Sequence, residues 1–152
     1  GLDVAGQADR LREVVARLAE AGMLVSAFID PEPRQVEAAA ACGFAICEVH
    51  TGTYAHAFHE RGRDADLPPV RAELDRVAEA VRAVAAAGMR FNAGHALNYF
   101  NVQPVAALPG IAELHIGHSI VSRSVLVGIR AAVREMKTLM RDAAMRAGQG
   151  DG

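Results

Sequence analysis

Acid, amide and imidazole side chains recur at the ends of four short apolar segments of this sequence. LVSAFID (24–30) ends in aspartate, and FAICEVH (44–50), RFNAGH (90–95) and AELHIGH (112–118) end in histidine. Imidazoles and carboxylates exchange protons near neutral pH. If the segments are neighbouring parallel strands, their polar ends converge on one rim, where ligands bind in α/β proteins.

Two of these ends carry the strongest candidates for proton transfer. Glu48 lies two residues before His50, so both side chains point to the same face of their strand. Glu48 could orient an imidazole or act as a general acid or base, and a structural ion pair is the alternative. Gly94 lets the backbone approach a ligand closely, which favours a proton-transfer role for His95 over a structural histidine bonded to a nearby asparagine.

The last polar end favours anion binding. The segment 117–119 (GHS) leads into a predicted helix, whose first N–H groups and positive dipole end can hold a phosphate, although a plain strand-to-helix turn would also use Gly and Ser. We expect His115 to be a packing residue. His56 and His59 have HxxH spacing, but no further ligand is spaced to complete a site, so we predict no metal.

Helical and strand patterns alternate along the chain. Each apolar segment follows a glycine that closes a preceding segment, and Asp30-Pro31 is a predicted helix start. Residues 51–67 lack periodicity and are predicted to be a long loop with at most one helical turn. The predicted helices cover 9–21, 31–42, 70–87 and about 119–146. The last of them is expected to bury a stripe formed by Val125, Ile129, Val133, Met136 and Met140. The predicted strands are 24–30, 44–50, 89–94 and 112–117, and a short apolar segment covers 101–108.

Strict alternation of helix and strand predicts a parallel sheet. An open doubly wound sheet and part of a (β/α)8 barrel both satisfy this pattern. A dinucleotide-binding sheet should show GxGxxG after its first strand, and none is present. A whole barrel needs eight strands and about 250 residues. Four strands in 152 residues fit half of a barrel, so residues 1–152 are interpreted as part of one barrel domain.

Composition excludes several classes of function. Hydrophobic residues make up 51% and charged residues 22%, which suits a packed domain. The net charge of −2 gives no basic field for nucleic acid or an anionic membrane, and no apolar run is long enough to span a bilayer. Cys42 and Cys47 are expected to be buried free thiols, as in a cytoplasmic protein. The C-terminal GQGDG is expected to fray.

As a set, five stretches resemble the pyridoxine 5′-phosphate synthase family, in the family's order and over nearly the whole chain. The stretches are GLDVAGQ, VSAFID, EVHTGTYA, RFNAGHALNYFNV and ELHIGHSIVSRSVLVG. The resemblance implies a TIM barrel of the (β/α)8 type, of which this chain covers about the last four strands. It also implies condensation of 1-deoxy-D-xylulose 5-phosphate with 3-amino-2-oxopropyl phosphate, releasing pyridoxine 5′-phosphate, phosphate and water. No cofactor or metal is implied, and the family forms homo-oligomers.

The resemblance also implies roles for individual residues. His95 matches the family's proton donor, and Glu48 matches a glutamate that assists the transition state. Gly117 and His118 match the pair that binds the aminoketone phosphate. The position after the histidine also touches that substrate, and Ala96 stands here where the family usually has glycine. A backbone N–H survives this change, but a positive φ would become costly.

The resemblance is to the C-terminal half of the family only. Its proton-accepting histidine and second catalytic glutamate belong to the first strands, which have no match here, and the stretch after EVHTGTYA is longer than in the family. The intact protein is therefore expected to be the enzyme, and this chain alone to be inactive. The alternatives are a catalytically incomplete half-barrel that binds phosphate or self-associates, and an unrelated barrel enzyme of sugar-phosphate metabolism.

Overall fold

The computed structural model describes residues 1–149, and within them four strands form one parallel sheet. The strands are β1 (Ser26–Ile29), β2 (Ile46–His50), β3 (Arg90–Gly94) and β4 (Ile111–His115). Each strand pairs with the next one in sequence. A doubly wound sheet reverses its strand order at a switch point, whereas a barrel adds each strand beside the previous one. The order therefore favours part of a barrel.

Helices connect the strands and close both ends of the chain. After a short 3-10 turn (Ala5–Gln7), the described helices are α1 (Ala8–Glu20), α2 (Pro33–Ala41), α3 (Gly52–Glu60), α4 (Pro68–Ala86), α5 (Val102–Ala106), α6 (His118–Val127) and α7 (Ile129–Gly148). None of these helices is long and apolar enough to cross a bilayer. The expected fraying of the C-terminal GQGDG concerns residues that lie mostly outside the described part of the chain.

One face of the sheet forms the core against the helices. Alternate strand residues on this face are small or branched, which lets helices approach the sheet closely. Both cysteines are buried and free, as predicted, and burial raises the pKa of the Cys47 thiol to about 12. The strand residues of this face are Ala27, Ile29, Cys47, Val49, Phe91 and Ala93, all at most 3% exposed.

The other face of the sheet is polar. Its apolar members include Phe28 of β1, the register partner of Glu48. Glu48, Asn92 and Glu113 are register neighbours across β2, β3 and β4, and His115 and Arg90 share their face. These side chains form hydrogen bonds and ion pairs with one another, so each of these charged groups has a partner on the same face.

Two predicted elements differ in the structure. Residues 52–60 form a helix of nine residues, not a loop, because Tyr54, Ala55 and Phe58 bury one side of it. In the sequence, the surrounding polar and charged residues of the segment 51–67 hide this short spacing. The second helix begins at Pro33 with Glu32 at its N-cap, so Asp30-Pro31 is not the helix start. The Asp30 carboxylate instead contacts His50.

The predicted last helix is two helices. Gly128, at φ 81°, separates α6 from α7. The chain changes direction there, so a single helical stripe cannot face the core. Met136 is buried as predicted, but Val125 is 82% exposed and Ile129 is 58% exposed.

Candidate active site

A cavity of about 570 Å³ opens at the carboxyl ends of the strands. It brings together all five residues singled out in the sequence, which come from β2 and from the loops after β3 and β4. His115 and Ser119 also line it. The predicted site residues in its wall are Glu48, His95, Ala96, Gly117 and His118.

Glu48 projects from β2 toward β4. Its Oε2 lies 2.6 Å from Nδ1 of His115, and the pair bridges the strands over β3. Gly94 of β3 leaves the room for this contact. A Cβ at Gly94 would lie 2.6 Å from Glu48 Oε1 and 3.0 Å from the His115 carbonyl oxygen. Glycine is therefore required here by the close approach of two neighbouring strands.

The prediction that His115 is a packing residue is wrong. Its side chain is 44% exposed and hydrogen-bonded at both ring nitrogens, since Nε2 lies 3.3 Å from Glu113 Oε2. Burial lowers the pKa of His115, but hydrogen bonds to Glu48 and Glu113 and the charges of these carboxylates outweigh it, so the pKa is raised. His115 therefore carries positive charge more readily than an ordinary histidine.

A network of polar side chains extends from His115 toward the amino-terminal end of β3. Arg90, at the start of β3, forms an ion pair with the other carboxylate oxygen of Glu113. The Asn92 amide nitrogen lies 3.5 Å from Glu113 Oε2 and from His115 Nε2, and Asn92 is only 2% exposed. The two glutamates of this cluster are thus each opposite a cationic or donor group.

His95 follows β3, and its ring packs at a tilt of 52° against that of a second histidine. Its ring centroid is 4.6 Å from that of His50, whose Nδ1 lies 2.9 Å from Asp30 Oδ1. Phe28 packs edge-on against His50 at 5.3 Å. A Cβ at Gly52 would lie 2.6 Å from His50 Nε2, so glycine at the start of α3 makes room for this histidine pair.

Three side-chain donors hold the turn after His95. The buried Thr51 hydroxyl lies 2.6 Å from the His95 carbonyl oxygen, and the Asn101 amide lies 3.2 Å from that of Ala96. Ser119 Oγ lies 2.9 Å from the carbonyl oxygen of Leu97. The carbonyl oxygens of three successive residues are therefore each held by a side chain from a different helix end: the start of α3, the start of α5 and the start of α6.

Two residues of this turn have a conformation that glycine prefers. His95 has φ 81° and Ala96 has φ 59°. The sequence raised this problem for Ala96, and the structure confirms that the position has a positive φ. An alanine in the left-handed region costs roughly 1–2 kcal/mol of free energy. The three hydrogen bonds of the preceding paragraph therefore hold the turn in a strained conformation.

Gly117 and His118 lie where β4 gives way to α6. Gly117 is the N-cap of α6, and a Cβ there would meet nothing within 4 Å. The first N–H groups of this ten-residue helix lack intrahelical partners and face the cavity mouth with the positive end of the helix dipole. This arrangement suits an anionic group beside His95 and Ala96.

The HxxH pair lies away from this cavity. His56 Nε2 forms an i,i+4 contact of 3.2 Å with Glu60, and both side chains are exposed. Across residues 1–149, no group of three or more His, Cys, Asp or Glu side chains is arranged to hold a metal ion.

Fold and site together define the class of protein. A parallel α/β sheet in sequential strand order carries carboxylate, imidazole and helix-terminus groups at its carboxyl rim, as in enzymes of the TIM-barrel type. Comparison with known sequences gives the family. Residues 1–142 match the family described as "Pyridoxal phosphate biosynthesis protein PdxJ", and the chain belongs to this family. Its four parallel strands and their helices are part of a TIM-barrel-like domain, as predicted.

Curated relatives carry the name pyridoxine 5′-phosphate synthase. The chain is 62% identical over 144 residues to the protein of Azoarcus sp. (strain BH72), covering 95% of this chain and 58% of the relative. It is 60% identical to that of Dechloromonas aromatica (strain RCB), with 96% and 58% covered, and 64% identical to that of Aromatoleum aromaticum, with 95% and 57% covered. The chain therefore spans a little over half the length of these relatives.

Sequence reasoning missed three residues that shape the site. Thr51 and Asn101 are buried polar residues, at most 1% exposed, and both lie inside the stretches that carried the family resemblance. Their polarity within apolar surroundings was a usable signal. His115 was predicted to be a packing residue because its partners, Glu48 and Glu113, are brought to it by the pairing of the strands and by the close approach at Gly94.

Proposed function

We propose that this chain supplies part of the active site of a pyridoxine 5′-phosphate synthase, which condenses 1-deoxy-D-xylulose 5-phosphate with 3-amino-2-oxopropyl phosphate. One observation carries the proposal: the five residues that match the family's site residues line a single cavity. A condensation that loses water and phosphate needs proton transfer at carbon and oxygen atoms and anchors for anionic groups. The cavity wall offers both.

We assign proton donation to His95. Its ring lines the cavity, and the neighbouring His50 is held by Asp30 at 2.9 Å, so the pair can position a donor next to a leaving oxygen. Glu48 faces the same cavity as an acceptor. A carboxylate there would stabilise positive charge developing at the amine or imine nitrogen of the aminoketone during condensation.

We assign the aminoketone phosphate to the start of α6. Gly117 has no Cβ to crowd an approaching oxygen, and His118 is the first residue of the helix. Free N–H groups and the helix dipole attract a phosphate, and a histidine can add a further donor. Ala96 lies across the same cavity, where its backbone N–H could reach the substrate.

We propose that this chain is inactive without the rest of the barrel. The outer edges of β1 and β4 have no strand neighbour within residues 1–149. The proton-accepting groups implied by the family resemblance have no match in this sequence. The two buried free thiols fit a cytoplasmic enzyme.

A chimera tests the assignment. The part of the Azoarcus relative that has no counterpart here would be joined to this chain, and phosphate release from the two substrates would be measured. We expect turnover by the chimera, none by the 152-residue chain, and a loss of about 100-fold or more in kcat for His95→Asn. His56→Asn, exposed on α3 and outside this cavity, is the matched control. Unchanged turnover in His95→Asn would remove His95 as proton donor.

A second function, self-association of an incomplete half-barrel that binds phosphate, has its own support. Val125, Leu126 and Ile129 are exposed side by side where α6 meets α7, at 82%, 79% and 58%. Clustered exposed aliphatic residues mark interaction surfaces. Light scattering of the 152-residue chain would show a homo-oligomer that Leu126→Glu dissociates, while phosphate binding is retained. A monomer at all concentrations would reject self-association.

A further inference from the structure

We infer that His115 is a positioning residue that holds the Glu48 carboxylate in place. Its link to catalysis rests on the function proposed above, but the contact itself does not. His115 has no role in the family resemblance. The inference comes from where the structure places the side chain.

The geometry makes His115 a bridge between two carboxylates. Nδ1 lies 2.6 Å from Glu48 Oε2, and Nε2 lies 3.3 Å from Glu113 Oε2. A neutral imidazole has one N–H, so it can donate to only one of these oxygens. The imidazolium donates to both. The arrangement therefore favours the charged form of the ring, and a charge-assisted hydrogen bond is about twice as strong as a neutral one.

The surroundings support a charge at this position. Arg90 forms an ion pair with the far oxygen of Glu113, and the neutral Asn92 amide nitrogen lies 3.5 Å from His115 Nε2, too far for a strong hydrogen bond. His95 and His118 line the same cavity as His115. Removing the imidazolium would leave Glu48 and Glu113 facing each other on one sheet face with Arg90 as the only nearby cation described in residues 1–149.

The bridge also determines which atom of Glu48 can meet a ligand. Oε2 is occupied by His115, and the side chain is only 19% exposed. Oε1 lies against Gly94, at the base of the cavity that Glu48 lines. His115 thus fixes the rotamer of Glu48 and leaves one oxygen for the substrate. Without it, Glu48 would lose its fixed position.

Nuclear magnetic resonance of the 152-residue chain tests the contact directly. The Cε1–H signals of the histidines would be followed through a pH titration. We expect Glu48→Gln to move the titration of His115 to lower pH, Glu113→Gln to move it in the same direction by less, and Glu60→Gln, the control at the His56 contact, to leave it unchanged. An unchanged His115 titration in folded Glu48→Gln would overturn the inference.

Turnover by the chimera tests the consequence. His115→Ala should lower kcat by about tenfold, the value of one hydrogen bond to a charged group at a half-exposed site. His115→Asn keeps a neutral hydrogen-bond donor, so its kcat near the pH optimum should be close to that of the wild type. In the wild type, kcat should fall as His115 deprotonates at higher pH, and this fall should be absent in His115→Asn. If His115→Asn kept the wild-type pH profile, the inference would fail. An inactive chimera would reject the proposed function, while the titration would still decide the contact.

Discussion

Thr51→Val removes the hydroxyl that contacts the backbone carbonyl of His95, the proposed proton donor. Thr51 is fully buried, and its Oγ1 lies 2.7 Å from the Gly94 carbonyl oxygen and 2.6 Å from that of His95. Gly94 keeps a second donor, because the Thr51 backbone N–H lies 2.8 Å from the same oxygen. The single hydroxyl proton is shared between the two carbonyl oxygens. Valine has nearly the same shape, so the change removes this donor and leaves only the His95 carbonyl without a replacement among residues 1–149.

The expected cost follows from these contacts. A buried acceptor left without a donor costs about 1–3 kcal/mol. Water can reach the partly exposed His95 carbonyl, and the added methyl group gains some burial, so the lower part of this range applies. We expect the free energy of unfolding to fall by about 1–2 kcal/mol, which lowers the Tm by about 3–6 °C in a domain of this size.

Urea denaturation of the 152-residue chain, followed by circular dichroism, measures this difference. Thr53→Val is the matched control, because Thr53 is exposed on the same helix. It should change the unfolding free energy by less than about 0.5 kcal/mol. If Thr51→Val were no more destabilising than Thr53→Val, the hydroxyl would not hold the turn, and the strained φ of His95 would need another explanation.

Three further changes follow from the same region. Ala96→Gly should raise the free energy of unfolding by about 0.5–1 kcal/mol, because glycine adopts a positive φ without strain, although it adds entropy to the unfolded chain. If urea denaturation showed Ala96→Gly to be less stable than the wild type, Ala96 would not be strained. Gly94→Ala should destabilise the chain by about 2 kcal/mol or more and release the Glu48–His115 contact, since its Cβ meets a backbone oxygen that cannot rotate away; normal stability would refute the close approach. Because the folded-state pKa of His115 lies above its ordinary value of 6.5, its contribution to stability is present below pH 6.5 and lost as pH rises through the folded-state pKa. Unfolding free energies measured on both sides of that window should show this loss, and His115→Gln should lack it.

Short-range patterns predicted most of the scaffold. Glycines after helical stretches and apolar runs between them give the alternation of helix and strand, because each depends only on neighbouring residues. The same patterns failed at residues 52–60, where only three buried residues mark a helix that packs against α4. They also failed at Gly128, because a pattern of apolar residues continues across the glycine while the backbone turns.

The sequence by itself determined which residues lie at the strand ends, and the family resemblance singled out Glu48, His95, Ala96, Gly117 and His118. Only the tertiary structure decided how they are held. The bridge from Glu48 to His115 joins residues 67 positions apart, and it exists because strand register places Glu48 level with Glu113, two residues before His115 on the same face of the sheet. Register depends on every pairing between strands, and no local pattern contains it. For the same reason, the roles of Thr51 and Asn101 became visible only when the carbonyls they hold were placed beside them.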